Sequence, residues 1–153
     1  MKAKGAAEKV IAKDLVLPEG DASLITLLKN ELESRESYTL WLCGEMGAGK
    51  TSLVRAFLYT LGLPERTPVV SPTYTIMNEY RIAANWYAHL DLYRASQGFS
   101  LDELGIHDIR PFRGIFVEWP EEAGEAEMLP PTHKIYIEPH GATARKYTFT
   151  SCV

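Results

Sequence analysis

Cysteine is scarce, positive charge is outnumbered by negative, and no long apolar run occurs. The two cysteines, Cys43 and Cys152, make neither a metal-ligand spacing nor a disulfide framework. They read as small buried or near-terminal hydrophobes. With 16 Lys and Arg against 20 Asp and Glu, the net charge is −4. That argues against a free-standing nucleic-acid binder, which presents a basic face, and leaves binding through a partner open. No stretch approaches a membrane span, and the lysines of MKAKGAAEKV precede no apolar signal core. The cytoplasm is therefore the expected location, with no membrane association. Repeats and low-complexity tracts are absent, and 11 Gly with 9 Pro is ordinary usage.

What is present fits one globular domain. At 153 residues and 46% hydrophobic content, residues 1–153 read as a single unit, with residues 1–8 a candidate disordered lead. A chain of this size buries about two-thirds of its unfolded surface. Val10–Leu17 reads as a strand ending at Pro18. Asp21 can cap a helix carrying Leu24, Leu27, Leu28 and Leu32 at helical spacing. YTLWLC, Tyr38–Cys43, has the continuous apolar character of a buried parallel strand. Leu53, Val54, Phe57, Leu58 and Leu61 mark a second helix that stops at Gly62. Val69–Ile82 and Trp86–Tyr93 look extended, Ser100 with Glu103 forms a capping box, and GIFVEW is another apolar strand. Lys134–Glu138 and Tyr147–Thr150 alternate around PHGATAR as a hairpin would. The expected fold is a three-layer α/β fold with a mostly parallel central sheet and a C-terminal antiparallel hairpin.

GEMGAGKT, Gly44–Thr51, lies between the apolar strand and the second helix. This is the G-x-x-x-x-G-K-[ST] pattern in the order that gives it a mechanism. Glycines let consecutive amides converge on phosphate oxygens, and the helix start adds its positive dipole end. The phosphate-contacting stretch is expected at Glu45, Met46, Gly47, Ala48, Gly49, Lys50, Thr51 and Ser52. Lys50 reaches for the β- and γ-phosphates, and the Thr51 hydroxyl is placed to ligate Mg²⁺.

Such a loop needs an acid at the end of a neighbouring strand. Ile115-Phe116-Val117-Glu118 ends in a carboxylate, as does WYAHLD at Asp91. By spacing, Glu118 is the Mg²⁺-side candidate, while Asp91 is placed to orient or deprotonate the attacking water. An N-K-x-D guanine element is missing, since the three asparagines begin NELE, NEYR and NWYA. ATP is the expected nucleotide. The residues alone leave three activities open: an ATPase, a small-molecule kinase with Arg110 and Arg113 in a lid, and a nucleotide-gated binding module with negligible turnover.

GEMGAGKTSLVRAFL, VVSPTYTIMNEY, HLDLYR and VEWPE, in that order, resemble the bacterial TsaE (YjeE) family of small P-loop ATPases. The resemblance runs from about Asp21 to the last strand. It implies a role in making N6-threonylcarbamoyladenosine at position 37 of tRNAs that read ANN codons. It also implies ATP and Mg²⁺ as ligands and a TsaB–TsaD heterodimer as partner, with tRNA met only through that partner. Lys50 and Thr51 match the family's phosphate and Mg²⁺ residues, Glu118 its metal-associated acid, and Asp91 an acid tied to hydrolysis. Ser71, Pro72, Thr73, Tyr74 and Thr75 match a switch-like loop. Glu45-Met46 stands where Asp-Leu is common, and Ser52 where a second Thr is frequent.

Without the resemblance, SPTYT is a polar turn entering a strand, in which Pro72 biases Ser71 away from helix. His89 shares a strand face with Asp91 and reads as a hydrogen-bonded structural histidine rather than a catalytic one. Trp119 is expected to pack under the loop, ahead of stacking on a base. Glu121, Glu122, Glu125 and Glu127 read as a solvated acidic loop.

Overall fold

In the computed structural model of the chain, the described residues are 7–72, 76–93, 111–122 and 129–152. They build one mixed sheet of 7 strands in the order β1-β7-β6-β2-β5-β4-β3. In chain order these are β1 (Lys9–Pro18), β2 (Tyr38–Cys43), β3 (Met77–Ile82), β4 (Asn85–Asp91), β5 (Gly114–Glu118), β6 (His133–His140) and β7 (Ala144–Ser151), with helices α1 (Ala22–Leu32) and α2 (Lys50–Leu61). The middle of the sheet, β6-β2-β5-β4, is parallel. Its flanks are antiparallel: β3 on β4, β7 on β6, and β1 on β7.

Local chemistry accounts for the helix limits. The Asp21 carboxylate caps α1 by accepting the Ser23 amide at 2.9 Å. Gly62, in the left-handed conformation, ends α2 by donating its amide to Leu58 and Tyr59 carbonyls. Leu24, Ile25, Leu28 and Leu32 of α1 and Leu53, Val54, Phe57 and Leu58 of α2 are buried with Tyr38, Leu40 and Leu42 of β2 on one sheet face. Tyr38, Phe57, Tyr87 and Phe116 meet there in edge and stacked aromatic contacts. A second core of Ile76, Ala88, Leu90, Leu92, Val117 and Leu129 fills the other face. Alternation along each strand separates the two.

One expectation changes in detail. Regular pairing in the Val69–Ile82 stretch starts only at Met77, because Ile76 adopts φ 69° and turns the chain there. Both described helices pack on one face, and the Ser100–Glu103 capping box lies outside the described residues. No helix among the described residues is long and apolar enough to cross a membrane.

Candidate nucleotide site

The loop between β2 and α2 is built on glycine where it must be. A Cβ on Gly44 would sit 2.7 Å from the Ile137 carbonyl oxygen of β6, so only glycine lets the loop leave β2 at this angle. Gly47 (φ 80°) and Gly49 (φ 104°) adopt left-handed backbone. Gly49 is the N-cap of α2 and offers no side chain to cap the helix, which leaves its first amides to a ligand. Lys50 folds back over the loop, its Nζ donating to the Gly44 carbonyl at 2.5 Å and lying 3.6 Å from the Trp119 ring centroid. Burial pulls its ammonium below the ordinary lysine value, against the opposing pull of Glu118, Glu121 and Asp91.

The two acids meet by register. β4 and β5 run parallel with Asp91 opposite Glu118, and Glu118 is opposite Leu42 of β2, so both carboxylates lie at the ends of two successive strands on one side of the loop. Period-two alternation puts Tyr87, His89 and Asp91 on the helix-covered face with Phe116 and Glu118. Glu118 is 3% exposed. Its Oε2 accepts the Thr51 hydroxyl at 2.8 Å and lies 2.5 Å from His89 Nε2. His89 is fully buried, and its Nδ1 has no hydrogen-bond partner among the described residues. Nε2 therefore carries the proton: a lone pair left bare at Nδ1 costs less than a buried bare N–H would. Asp91 accepts the Ser71 hydroxyl at 2.9 Å and the Tyr93 amide at 3.0 Å.

Strained backbone adjoins both acids. Ile76 and Trp119 are non-glycine residues with φ 69° and 57°. The Ile76 carbonyl accepts the Asp91 amide at 2.9 Å, and Trp119 directly follows Glu118. These turns swing the chain away from the strand ends and leave the carboxylates at the rim of the loop.

Lys50, Thr51, Ser71, Asp91 and Glu118 line one cleft of about 580 Å³, in the range of small-molecule sites. Met46, Gly47, Gly49 and Ser52 line it too. Glu45 instead faces a separate depression with Cys43 and Tyr136, and Ala48 is fully buried beneath the loop. Burial pushes the Cys43 thiol there up to about 12. Thr73, Tyr74, Thr75 and Arg110 lie outside the described residues. Arg113 does not belong to the site: it bonds Glu33 at 3.1 Å beside the start of β5, at the far end of the strand from Glu118.

The residues fit a nucleotide with a metal shared by its phosphates. Among the described residues no cluster of three or more His, Cys, Asp and Glu side chains could hold a metal ion unaided. A Thr hydroxyl beside one carboxylate suits Mg²⁺, which keeps waters and takes its remaining ligands from phosphates.

The family described as threonylcarbamoyl adenosine biosynthesis protein TsaE matches residues 19–147 of the chain. The chain belongs to the TsaE family. A TsaE protein of Haemophilus influenzae is 38% identical over 65% of this chain and 65% of its own length. One from Bacillus subtilis is 35% identical over 73% of this chain and 68% of its own length. The crystal structure of Bacillus subtilis YdiB superposes with a TM-score of 0.62 and 27% identity, covering 95% of this chain and 88% of that one. The chain thus spans about two-thirds of the length of these curated relatives.

Within this TsaE chain, three cleft residues escaped the sequence reading. Tyr93 packs on Trp119 with centroids 5.1 Å apart, while Glu19 and Arg145 line the side of the cleft away from the acids. Arg145 lies in PHGATAR, where turn chemistry masked it. Trp119 packs against the P-loop lysine and lines the cleft.

Proposed function

We propose that the chain binds ATP with Mg²⁺ at the P-loop and hydrolyses it slowly, as an accessory ATPase in the installation of N6-threonylcarbamoyladenosine on tRNAs reading ANN codons. The observation that carries this reading is the meeting of Thr51 and Glu118 at 2.8 Å, with Asp91 beside them, in a chain of the TsaE family. Lys50 exchanges its contacts with the Gly44 carbonyl and Trp119 for β- and γ-phosphate oxygens. Thr51 and Glu118 would hold Mg²⁺, which supplies charge neutralisation at the phosphate oxygens. His89 fixes the Glu118 carboxylate from behind. Asp91, oriented by Ser71, aligns the water whose oxygen attacks the γ-phosphorus.

The TsaB–TsaD heterodimer is the proposed partner. With a net charge of −4 the protein has no general attraction for tRNA and meets it through that partner. A nucleotide shifts partner affinity only through its differential interaction with two states of the protein. Partner binding should therefore strengthen with ATP. Depleting the protein in its own cells should lower threonylcarbamoyladenosine in tRNA, and a Lys50→Ala copy should fail to restore it. Normal modification in depleted cells would defeat the proposal.

A further inference from the structure

Between α2 and β3 the chain runs as a strap, residues 67–72, that lies in neither helix nor strand. Side chains take up carbonyls that a sheet ladder would otherwise use. The Tyr59 hydroxyl donates to the Thr67 carbonyl at 2.8 Å, and Arg55 Nε donates to the Val69 carbonyl at 2.9 Å. Asn78 Nδ2 of β3 donates to the Val70 carbonyl at 3.4 Å. Val69 is buried in the core with Phe57 and Leu58 of α2. The strap delivers Ser71 to the cleft, where its hydroxyl bonds Asp91 at 2.9 Å.

Two of the three tethers come from the helix that the P-loop opens. Thr51, Arg55 and Tyr59 are spaced four apart on α2 and so share one face. Thr51 meets Glu118 at 2.8 Å. One turn further on, Arg55 holds the strap two residues before Ser71, and a turn beyond that Tyr59 holds its start. The stripe thus links the metal-side hydroxyl to the segment that orients Asp91. We infer that Arg55 is a positioning residue for hydrolysis: with Tyr59 anchoring the start of the strap, it fixes the Val69 carbonyl and, through Ser71, the Asp91 carboxylate.

Arginine suits this task. Its guanidinium stays charged, and a charged donor holds a carbonyl more firmly than a neutral one. An apolar side chain of similar length would pack on Val69 but leave the carbonyl free to turn, and Ser71 is only two peptide units away. A misplacement of about 1 Å at a group that aligns a nucleophile costs up to about a hundredfold in rate. Phosphate binding, by contrast, uses the P-loop amides and Lys50, which the strap does not hold.

The inference rests on the nucleotide and hydrolysis reading above, so binding and turnover are read separately. ATP affinity by calorimetry and single-turnover hydrolysis, both with Mg²⁺, would be measured on the intact chain, Arg55→Met, Ser71→Ala and the double variant. Arg55→Met should slow hydrolysis about tenfold, as loss of a charged hydrogen bond does, and leave ATP affinity within about twofold. The double variant should be no slower than Ser71→Ala alone, because both changes act on one contact. Tyr59→Phe removes one hydroxyl and no packing, so it serves in the same cycle where Arg55→Met does not fold; it should slow hydrolysis about threefold. Wild-type rates in a folded Arg55→Met or in Tyr59→Phe would overturn the inference alone, as would losses that multiply in the double variant. ATP affinity and melting temperature that fall in step with the rate would mark a merely structural role and overturn it too. Wild type that binds ATP without turnover would overturn the hydrolysis reading with it, and wild type that binds no ATP would overturn the nucleotide reading as well.

Discussion

Two buried histidines, each facing a glutamate, sit in one row of the sheet, level with Leu40 of β2 and Phe116 of β5, and do different things. His133 opens β6 and is fully buried; its Nε2 meets Glu31 at 3.1 Å, its Nδ1 meets the Thr132 hydroxyl at 2.9 Å, and its ring stacks on Phe149. Glu31 is 35% exposed, so solvent relieves the pair. His89, near the end of β4, uses one nitrogen only among the described residues and faces a Glu118 side chain that is 4% exposed. Satisfied polar contacts with an outlet to water make a structural pair. A desolvated carboxylate shared by a histidine and the P-loop threonine has charge left for a ligand. The neighbours of a histidine–glutamate contact, more than the contact itself, decide its use.

The largest expected effect breaks that comparison directly. His89→Ala leaves a buried carboxylate short of a hydrogen-bond donor, which costs about 3 kcal/mol or more. His133→Ala strands no buried charge and should cost about 1–3 kcal/mol. Urea denaturation of both variants measures the gap, and equal losses would remove the distinction. Only His89→Ala should also alter the Mg²⁺ dependence of nucleotide binding.

A second, smaller effect separates the acids at the site end. Glu118→Gln should raise the Mg²⁺ concentration needed for hydrolysis about tenfold, as loss of a charged contact does. Asp91→Asn should leave nucleotide binding nearly intact and depress turnover. Mg²⁺ titrations of ATPase rate in both variants check this, and the opposite pattern would exchange the two roles.

The smallest effect belongs to His133. Burial holds its imidazole below the ordinary value of 6.5, with Glu31 opposing and Arg35 reinforcing the shift. The unfolded chain therefore binds a proton that the folded chain refuses. This contribution to stability is complete above pH 6.5 and declines as pH falls below it, toward the folded-state pKa. His133→Gln should flatten that part of the pH dependence, read as urea midpoints on either side of 6.5.

These contrasts explain what the sequence revealed and what it hid. β2, the P-loop and α2 were legible because each is local: a continuous apolar run, a glycine spacing, a helical stripe and a terminal Gly62. The hairpin was legible from its alternation, and β6 and β7 pair as expected. Glu118 and Asp91 were legible singly as strand-end acids. Their adjacency was not, since it depends on the parallel register of β4 on β5. Glu19 and Arg145 were hidden for the same reason: β1 and β7 bring them to the loop from opposite ends of the chain. Ile76 and Trp119 gave no sign of their left-handed backbone, because the surrounding fold imposes it on residues that disfavour it.

The central claim is that this end of the sheet is a nucleotide–Mg²⁺ site, and calorimetric titration of ATP into wild type and Lys50→Ala tests it most directly. Lys50 meets loop carbonyls and a tryptophan ring rather than the apolar core, so its removal should leave the melting temperature nearly unchanged. ATP affinity should fall at least about tenfold in the variant, and Mg²⁺ should strengthen binding in wild type. Equal ATP affinity in the two proteins, with the melting temperature preserved, would contradict the account.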